Sequence, residues 1–320
     1  MSLQTNLKGR LRNTSLPKTH GLMPVFEAVV NSIQSIEEKG NLNSGKITLR
    51  INRITQGSLE IDSKPLEPID GFTVIDNGCG FDDVNFASFE TLDSDHKIDK
   101  GCRGIGRLMW LKVFDVVEIE SNYINTEVEL KKRSFRFDNK LGVNGNRVEF
   151  ADTAVTGTTI NLVGFDVTYR KAVPIGGLAI ASQLLEHVLW YFVRTEGAPT
   201  IIVEDDNSTI NLDSLYDQHM HAGAFHETIK IRNQDFELTH IKFRASVSKK
   251  HQLALCAANR LVKEETIQGK LPGLFGKISD ASGEFTYTCY VSSDYLTDHV
   301  RSERTSFDIL EDANGMLEEM

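Results

Sequence analysis

The chain has 320 residues, which is more than one typical domain and enough for two. Hydrophobic residues make up 40% and charged residues 25%, the profile of an ordinary soluble globular protein, and the formal net charge is -10. The acidic balance argues against a general polyanion binder, because non-specific nucleic-acid affinity rests on Lys and Arg neutralising phosphates, but a local basic groove stays open.

No apolar run reaches the roughly 18 residues that a membrane-spanning helix needs. The basic N-terminus lacks the apolar stretch of a signal peptide. Cys79, Cys102, Cys256 and Cys289 are scattered without a C-x-x-C pair, so a disulfide framework or zinc site is not expected and a reducing cytoplasm is the default.

Segment 1–18 carries Lys8, Arg10, Arg12 and Lys18 and no acidic residue. It reads as a solvated or strand-exchanging tail, or as an arm that touches a partner. Apolar residues at Val25, Phe26, Val29, Val30, Ile33 and Ile36 predict a helix over 22–39, with Pro24 in its first turn and Gly40 as its stop. Alternation over 46–54 predicts a half-buried strand, and 71–75 predicts a short strand running into a turn. Segment 81–100 is polar and weakly periodic, and is expected to be partly helical and mobile.

A helix is expected over 108–114, then strands over 116–123, 126–132, 134–137 and 158–163. A strongly apolar helix follows over 183–193 and a strand over 200–204. The polar stretch 205–211 suggests a domain boundary, giving 1–205 and 206–320. The second part is expected to mix strands over 240–247, 253–257 and 284–291 with a helix around 214–220. This order predicts an α+β fold in which helices cover one face of a mixed sheet.

Four local patterns carry chemistry. Glu27 and Asn31 stand one helical turn apart and project from the same face. The amide oxygen is a hard ligand suited to magnesium, and the carboxylate can polarise a water. Such pairs are also common on exposed helix faces. Next, an apolar strand ends in Asp76-Asn77-Gly78-Cys79-Gly80, where a carboxylate can accept from an exocyclic amine and glycines allow close backbone approach, or where a plain turn simply joins two strands. The third is Lys100-Gly101-Cys102-Arg103-Gly104-Ile105-Gly106-Arg107 before a helix, an arrangement whose N–H groups can hold an anion. Its glycine order differs from the dinucleotide fingerprint, and it lacks the ending of a P-loop. The last is Gly157-Thr158 opening a strand.

Taken in this order, E-x-x-x-N, D-x-G-x-G, G-x-x-G-x-G and G-T resemble the motifs of the GHKL superfamily, which includes topoisomerase ATPase subunits, MutL proteins, ninety-kilodalton heat-shock chaperones, Morc proteins and histidine-kinase catalytic domains. The resemblance spans about 23–162 and is closest in character to the MutL, chaperone and Morc-like members. It implies a Bergerat-type α/β sandwich followed by a smaller transducer-like domain. It further implies ATP and Mg2+ as cofactors, with Glu27 as general base and Asn31 as metal ligand. Asp76 takes the adenine amino group with Thr158 helping through water, and Gly78 and Gly80 line the adenine. Gly101, Arg103, Gly104, Ile105 and Gly106 cradle the phosphates, Lys97 or Lys100 reaches a phosphate, and segment 81–100 acts as a lid.

Because the helix carries Glu27, hydrolysis is favoured over the phosphotransfer of histidine kinases. Segment 290–307 is similar in character to a transducer segment, which makes Arg301 and Arg304 candidates for the γ-phosphate, with Arg304 preferred; segment 256–265 is similar to the preceding transducer strand. The expected behaviour is an ATP-driven switch in the cytoplasm, closing as a homodimer and acting on a downstream effector region or partner protein. The alternative is a nucleotide-sensing or chaperone-like module without significant turnover.

Overall fold

A computed structural model describes residues 7–54, 66–91, 106–194, 196–206, 208–219, 225–243, 250–257, 260–280, 283–300 and 307–309. The chain divides into two compact units, with most of the chain up to Tyr216 in the first and Asp217–Met320 together with Val193–Thr195 among the residues of the second, so that α7 spans the boundary. The first unit contains, in chain order, α1 (Leu7–Asn13), α2 (Met23–Glu38), β1 (Lys46–Arg53), β2 (Ile69–Asp76), α3 (Asp83–Glu90), α4 (Gly106–Val113), β3 (Phe114–Ile124) and β4 (Leu130–Asp138). Then follow β5 (Gly142–Phe150), β6 (Gly157–Phe165), α5 (Val167–Arg170), α6 (Gly177–Val193), β7 (Thr200–Asp205), β8 (Ser208–Asn211) and α7 (Leu212–His219).

The eight strands form one sheet in the order β5-β4-β3-β6-β2-β1-β7-β8. β1 pairs parallel with β7 and antiparallel with β2, so the sheet is mixed, as expected for an α+β fold. The register aligns inward-facing residues into rungs. One rung reads Val203, Leu49, Val74, Ile160, Ile119 and Phe135, and is apolar throughout. The neighbouring rung reads Ile201, Ile47, Asp76, Thr158, Ser121 and Arg133, and turns polar in the middle of the sheet. Helix α2 lies against β1, β2 and β6, and α4 against α2 and β3. Fully buried side chains such as Val25, Val29, Ile33 and Ile36 each contribute about 1.5–3 kcal/mol by leaving water.

Two expectations shift. The strands expected over 126–132 and 134–137 are one strand, β4, beginning at Leu130. The segment before it is a turn, because the Asn125 side-chain oxygen accepts from the N–H groups of Glu127 (3.0 Å) and Glu129 (2.8 Å) and so competes with strand pairing. β5 had no alternating signal in a stretch rich in Gly and Asn. It forms because Asp138 turns the chain, accepting from Lys140 and Leu141 N–H at 2.8 Å each, and so delivers 142–150 to the edge of β4. β8 pairs antiparallel with β7 beside the buried Arg53–Asp205 ion pair at 2.7 Å.

The second unit carries β9 (Phe225–Ile231), β10 (Gln234–Phe243), β11 (Gln252–Ala257), β12 (Arg260–Thr266), β13 (Ile278–Asp280), β14 (Gly283–Ser292) and α8 (Asp294–Asp298). Its sheet runs β12-β11-β14-β10-β9, with β13 beside β14. A small core of Cys289, Val291 and Leu296 packs against Leu238, Leu253 and Leu255. Among the described residues, no helix is long and apolar enough to cross a membrane.

Candidate functional site

Strand β2 delivers Asp76 to the polar rung, where it is buried. One carboxylate oxygen accepts from Ser32 Oγ on α2 at 2.8 Å, and the other accepts from the Gly78 N–H at 2.9 Å. Burial pushes the carboxyl up to about 6, against the opposing pull of the Gly78 N–H, the Ser32 hydroxyl, the Thr158 backbone and the Lys39 charge. Thr158 pairs with Asp76 across β6 and β2, and its hydroxyl lies 3.1 Å from Ser121 Oγ. Ser121 Oγ also accepts from the Phe81 N–H at 2.8 Å, which ties the end of the glycine turn to β3.

The turn itself is held against α2. A β-carbon on Gly78 would stand 2.2 Å from Ser35 Oγ, and that hydroxyl accepts from the Cys79 N–H at 3.1 Å. Gly80 has φ +84°, and a β-carbon there would stand 2.2 Å from the Asn122 carbonyl oxygen. Close approach within the protein therefore requires both glycines. Thr156 Oγ1 donates to the Gly78 carbonyl at 2.6 Å, which joins the turn to the start of β6.

On α2, Asn31 is exposed and Glu27 is partly buried, with 22% of its side chain accessible. Glu27 precedes Ser32 by five residues, about 7–8 Å along the helix axis. Its Oε2 stands 3.7 Å from the position a side chain on Gly106 would take, so the carboxylate lies beside the first residue of α4. Its Oε1 lies 3.6 Å from Nε2 of His187 on α6. The remaining candidates Lys97, Lys100, Gly101, Arg103, Gly104, Ile105, Arg301 and Arg304 lie outside the described residues.

Ser32, Ser121 and Arg133 were not singled out from the sequence, and Arg107 was read only as the end of the glycine motif. Ser32 follows Asn31 and Ser121 lies between Glu120 and Asn122, so neither stands out in the sequence. Arg133, on β4, donates to the Phe81 carbonyl at 2.8 Å and the Asp82 carbonyl at 2.7 Å, pairs with Asp83, and lies over the rings of Phe86 and Tyr123. Arg107 on α4 donates to the Ser88 carbonyl at 3.0 Å and to the Thr91 carbonyl, binding the last carbonyls of α3 where a cation is favoured. Burial lowers its pKa to about 10, so it keeps its charge at neutral pH. Arg107 thereby joins the two ends that bracket residues 92–105.

A cavity of about 280 Å³ opens at Asp76, lined by Asp76, Ser121 and Thr158 of the polar rung and by Glu120, Lys132 and Thr159 beside them.

No family model and no curated protein matches the sequence. Among solved structures, the chain is similar to the ATPase region of Saccharomyces cerevisiae topoisomerase II, with 12% identity, a TM-score of 0.48 and coverage of 84% of this chain and 72% of that one. It is likewise similar to that ATPase region bound to ICRF-187 (dexrazoxane), with 11% identity, a TM-score of 0.47 and coverage of 85% and 73%.

Proposed function

We propose that this chain binds ATP with magnesium and hydrolyses it as a conformational switch of the GHKL type. The observation that carries the reading is the Ser32–Asp76 hydrogen bond. It docks the helix bearing Glu27 and Asn31 onto the strand end bearing Asp76, beside Thr158. The nucleotide is assigned to the space beside Asp76 and Thr158, next to α2.

The residues fit such a ligand. Asp76 is a buried carboxylate whose negative charge is only partly compensated, and an adenine amino group supplies one further donor. Thr158 supports that contact through water. Glu27 stands beside the N-terminus of α4, where backbone N–H groups favour phosphate oxygens. Among the described residues no group of three or more His, Cys, Asp or Glu forms a ready-made cage. A magnesium ion that keeps several waters needs only one protein oxygen, which Asn31 supplies. When bound, the ion neutralises charge on the phosphates.

In the reaction, Glu27 accepts a proton from water. The water oxygen bonds to the γ-phosphorus as the bond to the β–γ bridging oxygen breaks, leaving ADP and phosphate. Gly101, Arg103, Gly104, Ile105 and Gly106 are assigned to the phosphates, with Lys97 or Lys100 reaching over them. Arg304, or Arg301, is assigned to charge developing at the γ-phosphate. In this scheme segment 206–320 acts as the transducer, and ATP closes a cytoplasmic homodimer that signals to an effector region or partner.

The test is phosphate release and thermal stability with a non-hydrolysable ATP analogue and magnesium. Glu27→Ala is expected to keep the thermal shift and to lose turnover by roughly a hundredfold or more. Asp76→Asn is expected to lose the shift. A wild-type protein with no shift at millimolar nucleotide ends the proposal, and wild-type turnover in Glu27→Ala removes that residue as the base.

A further inference from the structure

His187 sits on α6, an apolar-rich helix that also carries Ser182, Gln183 and Glu186. Its neighbours on α6 include Ile180, Leu184, Val188 and Leu189, all buried. Its ring lies against Phe26 with centroids 5.5 Å apart and planes tilted by 37°. This contact restricts the imidazole plane and presents Nε2 to Glu27 Oε1 at 3.6 Å. The two Glu27 oxygens therefore face different groups. Oε1 faces His187, and Oε2 faces Gly106 at the start of α4.

We infer that His187 is a positioning residue, donating from Nε2–H to Oε1 of Glu27 and so directing Oε2 toward the attacking water. This rests on the ATP-hydrolysis reading above. The 3.6 Å separation exceeds an ordinary hydrogen bond, and catalytic contacts of this kind tighten when the ligand is bound. Both the neutral Nε2–H tautomer and the protonated ring can make the donation. A donor on one carboxylate oxygen narrows the rotamers that the glutamate samples toward those aiming the other oxygen at the water, so this donor acts on turnover rather than on nucleotide affinity.

Two substitutions separate positioning from packing. His187→Phe keeps a ring against Phe26 and removes the donor. His187→Gln gives up the ring and keeps an N–H near the Nε2 position. With steady-state ATP turnover measured at matched fractional folding, His187→Phe is expected to lower kcat about tenfold with KM within about twofold. His187→Gln is expected to retain kcat within about threefold. The inference is overturned if His187→Phe keeps wild-type kcat, if His187→Gln falls as far as His187→Phe, or if either acts on KM instead of kcat. A wild-type protein that neither binds nor turns over ATP overturns the underlying reading as well, which is a distinct result from normal wild-type turnover with an indifferent His187.

Discussion

Ser32 on α2 and Asp76 at the end of β2, 44 residues apart in the chain, share a 2.8 Å hydrogen bond in a buried setting. That bond is a polar link between the helix and the strand end, and it offsets part of the cost of burying a carboxylate.

Ser32→Ala removes a donor from a buried charged group, a change that costs about 1–3 kcal/mol. The Ser32 hydroxyl holds the Asp76 carboxyl down, so its loss raises that group further above the usual carboxylate range. The loss of stability is expected to be larger at pH 7, where Asp76 is ionised, than at pH 5, where it is mostly protonated. Urea unfolding at the two pH values checks this, and an equal loss at both argues that Ser32 matters only for packing.

Asp76 makes a pH-dependent contribution of unusual sign for a carboxylate. Its pKa is 3.8 in the absence of perturbation and about 6 in the fold. Between these values the folded state holds a proton that the unfolded state releases, so stability falls as pH rises through this window. Above it the penalty is on the order of 3 kcal/mol. The difference in unfolding free energy between Asp76→Asn and wild type is therefore expected to shift toward the variant from pH 4 to pH 6 and then level off. A flat difference across that range contradicts the assignment.

Arg133→Lys is expected to be poorly tolerated. The guanidinium serves the Phe81 and Asp82 carbonyls, Asp83 and Tyr123 Oη at once, while lying over two rings. An ammonium cannot span these acceptors in one plane, and it gives up the stacking of a planar guanidinium over the rings. Thermal unfolding checks this, with the lysine variant expected to fall most of the way to Arg133→Ala; full rescue by lysine contradicts the multidentate role.

Much of the first unit was readable from local pattern. The 3.6-residue recurrence of apolar residues in α2 and the alternation in β1 arise because each element buries one face, and that demand is written directly into the order of residues. Asp76 was visible because a carboxylate closing an apolar strand before glycines stands out. The polar rung was not visible. Ser32, Ser121, Thr158 and Arg133 become neighbours only through the pairings of β2, β6, β3 and β4 and the docking of α2. A single polar residue in a strand or helix has no period, and strand register is set by pairing between distant segments. His187 was hidden for the same reason, because its meaning depends on which residue of another helix it faces. Local propensity thus determined the elements, while which polar groups share a site was decided by long-range pairing that brings their buried dipoles and charges within reach of one another.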